Sequence, residues 1–325
     1  MTEEDQALVD GVRAGERRAL ARAITLLEST HPEHRARAEA VLEALHGHAG
    51  RSLRIAISGP PGVGKSTFIE SLGLHVLSLG HRLAVLAIDP SSGRTGGAIL
   101  GDKTRMEQLS RDERAFIRPS PAGASLGGVA ERTREAIIVC EAAGYDVIVV
   151  ETVGVGQSQT AAAGMVDAFV LMQLPNAGDD LQALKKGIVE LADLFVVNKA
   201  DLDAAAARAA AGHIEMALGL LRPSVPQWRP PVLLASGLSG SGIAEFWEAV
   251  RRYERAMREC GEFEARRRRQ ALEWMWALID SGLREGFRRH PAVERQVDGL
   301  GDAVRDGRTT PVAAAAILLR AAKEP

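Results

Sequence analysis

The stretch 59-GPPGVGKST-67 sets a lysine and a hydroxyl directly behind a glycine-rich turn, and it satisfies GxxxxGK[ST] through Gly59, Gly64, Lys65 and Ser66. Backbone of this kind lets N–H groups converge on an anion at a helix start, where the aligned peptide dipoles also favour negative charge. Gly59, Pro60, Pro61, Gly62, Val63, Gly64, Lys65, Ser66 and Thr67 are therefore expected to cradle phosphates, with Lys65 on the outer ones and the Ser66 hydroxyl on Mg²⁺. An acid is expected to reach the same ion through water, and Glu151, ending the apolar run DVIVVE, is the candidate. Aspartate is the usual residue there, and the rival reading of Glu151 is an ordinary strand-end carboxylate.

A second motif speaks to the base. The run LFVVNK leads into 198-NKAD-201, an NKxD pattern spanning Asn198, Lys199, Ala200 and Asp201. In such a pattern the aspartate accepts hydrogen bonds from the guanine ring N–H and amino group, while the asparagine and the lysine stem hold base and loop. Adenine presents the wrong donors and would leave a buried Asp201 carboxylate unpaired, so GTP is expected over ATP. After the run PVLLAS, the turn formed by Ser236, Gly237 and Leu238 can offer a backbone N–H to the guanine carbonyl. A plain strand-to-helix turn is its rival.

Two loops could respond to the nucleotide. The segment 89-DPSSGRTGGAILGDKTRM-106 carries Asp89 and Asp102 among small residues and suits a loop that ligates Mg²⁺ when the triphosphate is bound. A solvated loop is the bland alternative. The segment 175-PNAGDDLQALKKG-187 carries Asp179, Gln182 and Lys185, and by composition alone it reads equally as a helix start with a charged face. No residue just after Glu151 matches the water-positioning glutamine of small signalling GTPases, Gln157 being six positions on. Slow intrinsic hydrolysis, completed by a partner, is the expectation.

These residues need a scaffold, and the apolar runs supply one. LRIAIS, LAVLAID, DVIVVE, AFVLMQL, LFVVNK and PVLLAS are near-continuously apolar and separated by helical or loop segments, as strands buried on both faces of a parallel sheet are. The fold class predicted is α/β: a P-loop NTPase with a mostly parallel central sheet flanked by helices, plus helical extensions at both ends. Residues 1–50 read as two amphipathic helices broken near His31-Pro32, 51–256 as the P-loop GTPase domain, and 257–325 as a C-terminal helical arm.

Composition narrows the classes. The formal charge of −2 and the 4% aromatic content leave no basic, ring-bearing face, so nucleic acid is not an expected partner. The run 266-RRRR-269 lies among Glu262, Glu264 and Glu273 and reads as a charged helix face. Two separated cysteines suggest neither disulfides nor a thiolate metal site, and 46-HGH-48 is the sole metal-like cluster. MTEEDQALVDGVRAGERR lacks the apolar core of a secretion signal, and no apolar run approaches the ~20 residues of a membrane span. A cytoplasmic protein with no membrane contact is expected.

Taken together, GPPGVGKST, DPSSGRTGGAILGDKTRM, RPSPAGASLGGVA, VVETVGVGQSQT, AGDDLQALKKG, ELADLFVVNKAD and EWMWAL closely resemble the MeaB/ArgK family, which includes the methylmalonic aciduria type A proteins. The likeness runs from ALARAITLLES to the Trp-containing C-terminal helix. It implies a GTP-hydrolysing chaperone of an adenosylcobalamin-dependent acyl-CoA mutase, methylmalonyl-CoA mutase or a close relative. Such a chaperone gates cofactor loading, protects the mutase from inactivation, and forms a homodimer through its C-terminal arm. By the same likeness Asp89 and Asp102 belong to a first switch with catalytic and Mg²⁺ roles, and Asp179, Gln182 and Lys185 to a further switch that couples the client to hydrolysis. The alternatives are a metallochaperone GTPase and an adaptor that binds nucleotide without turnover.

Overall fold

The computed structural model describes every residue except Thr30, 89–105, 120–125, 153–156, 176–185, Arg222, Ser224 and 324–325. Asp89, Asp102, Asp179, Gln182 and Lys185 thus lie outside the described residues. The chain divides into two compact units, Met1–Glu264 and Ala265–Pro325.

The first unit opens with three helices, α1 (Glu3–Arg13), α2 (Arg17–Glu28) and α3 (Pro32–His46), where the sequence predicts two. The extra break falls at Gly15, whose φ of 75° turns the chain out of α1. Thr2 and Asp5 form a reciprocal capping box at the start of α1, and Asp5 also pairs with Arg37 of α3 at 2.8 Å. Leu8, Val12, Leu20, Ile24, Val41 and Leu45 share one core with a face of the sheet, so the three helices are built onto it.

The sheet and its connections follow in chain order: β1 (Leu53–Ser58), α4 (Lys65–Ser78), β2 (Leu83–Ile88), α5 (Glu107–Arg111), β3 (Ala115–Arg118), α6 (Leu126–Ala142), β4 (Val147–Thr152), α7 (Gln157–Ala163), β5 (Ala168–Gln173), α8 (Lys186–Val189), β6 (Leu194–Val197), α9 (Ala204–Gly219), β7 (Val232–Leu234) and α10 (Ile243–Glu259). The seven strands order β3-β2-β4-β1-β5-β6-β7, and every pairing is parallel. Strand β3 escapes the sequence reading because AFIR is four residues long and is flanked by charges.

Alternating residues of each strand enter different cores. Ala56, Val150 and Leu171 face the core shared with α1–α3, α6, α7 and α9, whereas Ile55, Ile57, Val149 and Val170 face Phe68, Leu72, Phe246 and Tyr253 of α4 and α10. The connection from β1 to β2 runs through α4 on the second face, while that from β4 to β5 runs through α7 on the first. The chain thereby changes direction at β1, and the carboxyl ends of the strands beside such a switch are where α/β sheets bind ligands. The 256/257 boundary expected from sequence falls inside α10, where Tyr253 and Met257 are still in the core.

Helix α11 (Glu262–Arg289) begins in the first unit and continues into the second, which also holds α12 (Pro291–Arg305) and α13 (Pro311–Ala321). Both short helices start with proline after a capping side chain, His290 for α12 and Thr310 for α13.

Candidate nucleotide site

The phosphate loop joins β1 to α4. Gly64 is the N-cap of α4 at φ 90°, ψ 32°, and a Cβ placed on it would lie 2.8 Å from Asn198 Nδ2. Only glycine serves both the left-handed turn and that close approach. Pro61, Gly62 and Thr67 are exposed along the crest of the loop, while Val63 is buried beneath it.

Lys65 is buried and donates from Nζ to the carbonyl oxygens of Gly59 at 2.8 Å and Pro60 at 3.2 Å. Burial pushes its pKa below the ordinary lysine value, and the negative charge of Glu151 pulls it part of the way back. The ammonium is therefore held across the loop that is expected to take phosphates. Ser66, in the first turn of α4, donates from Oγ to Glu151 Oε1 at 2.9 Å. A hydroxyl and a carboxylate converging at one point form an all-oxygen donor set, which is the chemistry Mg²⁺ selects, so these residues fit that ion.

The base motif is built on the end of β6. Lys199 has φ 63°, the one non-glycine residue at positive φ among the described residues. A left-handed lysine costs about 1 kcal/mol, and here it turns the chain sharply enough to send Asn198 and Asp201 to different tasks. Asn198 is buried, donating from Nδ2 to Val63 O at 2.7 Å and accepting the Gly237 N–H at 2.9 Å. It bolts the phosphate loop to the turn after β7. The Ala200 N–H donates to Ala235 O at 3.0 Å, and Ser236 Oγ accepts the Ser239 N–H at 3.1 Å, which completes that turn.

Asn198, Lys199, Asp201, Ser236, Gly237 and Leu238 line one cavity of about 290 Å³ together with Gly64 and Thr67 of the phosphate loop. Asp201 is exposed at this cavity, whereas the sequence reading has it buried. It lies four residues beyond the end of β6, in a turn that leaves its side chain open to solvent. Leu238 and Leu202, 82% and 75% exposed, add apolar surface suited to a flat ring. Leu202 is absent from the sequence reading, although it directly follows the NKAD motif. A larger cavity of about 330 Å³ lies between Ala192, Trp228 and Tyr253 and contains none of the motif residues.

Sequence reasoning also misses a buried polar group beneath the phosphate loop. Thr152 Oγ1 and Gln159 Nε2 each donate to Ser58 Oγ at 2.8 Å.

A phosphate loop entering α4, an acid at the end of β4 and an NKxD strand end sharing a cavity with that loop define a P-loop nucleotide-binding protein of the GTPase class. The comparisons with known proteins narrow the class. Residues 20–292 match the family model described as methylmalonyl-CoA mutase-associated GTPase MeaB, and the chain belongs to that family. The GTPase ArgK of Escherichia coli K12 is 49% identical over 265 residues, 81% of this chain and 80% of the relative. The mouse methylmalonic aciduria type A homolog, mitochondrial, is 46% identical over 338 residues, 99% of this chain and 81% of the relative. A crystal structure of a LAO/AO transport system kinase superposes with a TM-score of 0.78 at 35% identity, covering 100% of this chain and 99% of that one.

Proposed function

We propose that this protein binds GTP with Mg²⁺, hydrolyses it to GDP and phosphate, and serves as a chaperone of an adenosylcobalamin-dependent acyl-CoA mutase, methylmalonyl-CoA mutase or a close relative. The observation that carries the reading is the meeting of Gly64, Asn198 and Asp201 at one cavity behind the phosphate loop. Membership of a family described as mutase-associated, with a methylmalonic aciduria type A homolog among the relatives, supports the choice of client.

In this reading the Lys65 ammonium moves from loop carbonyls to phosphate oxygens and stabilises charge that develops during phosphoryl transfer. Ser66 and Glu151 would hold Mg²⁺, which when bound would supply positive charge to offset that of the phosphates. Asp89 and Asp102 are assigned to the first switch, completing the catalytic and metal set. Asp179, Gln182 and Lys185 are assigned to a second switch that carries the client's influence to the hydrolytic site. Nucleotide can control a client only through different affinities of two switch states, so the client must shift nucleotide affinity in return. The chaperone thereby gates cofactor loading and protects the mutase.

The acting form in this reading is a cytoplasmic homodimer. Leu272, Met275, Trp276, Ile279 and Leu283 of α11 are exposed at helical spacing, an apolar stripe suited to a second copy of the arm.

GTP turnover by the purified protein, alone and with each candidate mutase, tests the reading with ATP as control. Stimulation by one mutase identifies the client. GTP binding without stimulation by any mutase overturns the chaperone role and returns the metallochaperone and adaptor alternatives. Failure to bind GTP overturns the whole reading.

A further inference from the structure

We infer that Gln159 is a positioning residue for the Mg²⁺ site, acting through the hydroxyl of Ser58; the inference rests on the GTPase reading above. Ser58 ends β1 and directly precedes Gly59, whose carbonyl holds Lys65. Thr152 ends β4 and directly follows Glu151, whose carboxylate takes the Ser66 hydroxyl. Ile57 pairs with Glu151 in the parallel ladder, which makes Ser58 and Thr152 the next residues on each strand.

Successive strand residues point to opposite faces. Glu151 reaches α4 on one face, so Ser58 and Thr152 project to the other, where α7 supplies Gln159. The contacts there are short and dry: Thr152 Oγ1 and Gln159 Nε2 both donate to Ser58 Oγ at 2.8 Å, with Ser58 and Thr152 0% and Gln159 1% exposed. Both acceptor positions of the hydroxyl are thereby used. Removing either donor leaves one acceptor position of that hydroxyl unfilled where water does not reach.

The consequence lies one residue away on each strand. The anchor of Lys65 and the carboxylate of Glu151 are held at fixed relative height by the bonded group behind them, to which α7 contributes Gln159. Groups that support metal ligands from behind typically alter metal affinity or activity by about 10- to 100-fold when removed.

The test uses the full chain and a fluorescent GDP analogue, following nucleotide release as Mg²⁺ is titrated, with GTP turnover and melting temperature measured alongside. Gln159→Leu is expected to raise the Mg²⁺ concentration that half-slows GDP release by about 10-fold and to lower kcat by a similar factor, with release in EDTA within about 2-fold of wild type. A wild-type Mg²⁺ dependence in Gln159→Leu overturns the inference, even where the melting temperature falls, because that pattern is a purely structural role. Should this variant fail to fold, Thr152→Val removes the opposite donor to the same hydroxyl and carries the same expectation and the same overturning result. A wild-type protein that does not bind GTP overturns the GTPase reading and this inference with it. Normal wild-type binding with unaffected variants overturns the inference alone.

Discussion

Ser66 Oγ donates to Glu151 Oε1 across 2.9 Å, which joins the first turn of α4 to the end of β4. A hydroxyl that also bonds a carboxylate is already aimed at the place where a hard cation needs oxygen. Glu151→Gln keeps the size of the side chain and removes the charge. We expect it to raise the Mg²⁺ requirement of turnover by about 10- to 100-fold with little loss of melting temperature. An unchanged Mg²⁺ titration would take Glu151 out of the metal site.

Asp201 stands exposed at the base cavity, and its carboxylate can meet two donors on guanine. Asn in its place offers one donor and one acceptor, which suits xanthine. Asp201→Asn is expected to weaken GTP binding by about 100-fold and to strengthen binding of xanthosine triphosphate. Calorimetry that ranks the two nucleotides as in wild type would sink the base assignment.

The stripe on α11 predicts an association constant that single residues control. Trp276, 61% exposed, is the largest side chain on it, and large aromatic anchors dominate protein contacts. Trp276→Ala is expected to weaken dimerisation by about 30-fold or more in sedimentation experiments. A monomeric wild-type protein at micromolar concentration would remove the arm from any self-contact.

Asp5 gives the N-terminal helices an acid limit. The hydrogen bond from Arg37, aided by the Thr2 backbone N–H, holds its carboxyl at about 2, below the ordinary 3.8. Between those values the unfolded chain binds more protons than the folded one. The stabilisation is therefore complete above 3.8 and disappears as pH falls through about 2. Melting temperatures across that window should fall more steeply for wild type than for Asp5→Asn, and equal slopes would detach Asp5 from acid stability.

The phosphate loop, Glu151 and the NKAD run are legible in sequence because each packs its chemistry into a few neighbouring residues. Six strands are legible for a similar reason: five are buried on both faces and so apolar throughout, and β7, half-buried at the sheet edge, still keeps an apolar run. What stays hidden depends on partners remote in the chain. Asn198 meets Val63 and Gly237 across 135 and 39 positions, and Gln159 meets Ser58 across 101. No local spacing announces such pairs. Strand β3 is hidden because four residues carry too little periodicity, and the exposure of Asp201 depends on what packs above a turn. Gly15 is a different case, because its left-handed conformation leaves no mark on the helical pattern around it.

The bridge made by Asn198 also bears on how the protein is completed during synthesis. The base cavity draws on Gly64, Asn198 and the residues just beyond β7, so a chain released or cleaved before Ser236 has a phosphate loop without its counterpart. Nucleotide is then a ligand of the finished fold alone, and at 100-fold excess over Kd it adds about 2.7 kcal/mol to that fold by mass action. A guanine nucleotide seated in that cavity would therefore favour chains in which the last strand of the sheet has docked, because Ser236, Gly237 and Leu238 line it only then.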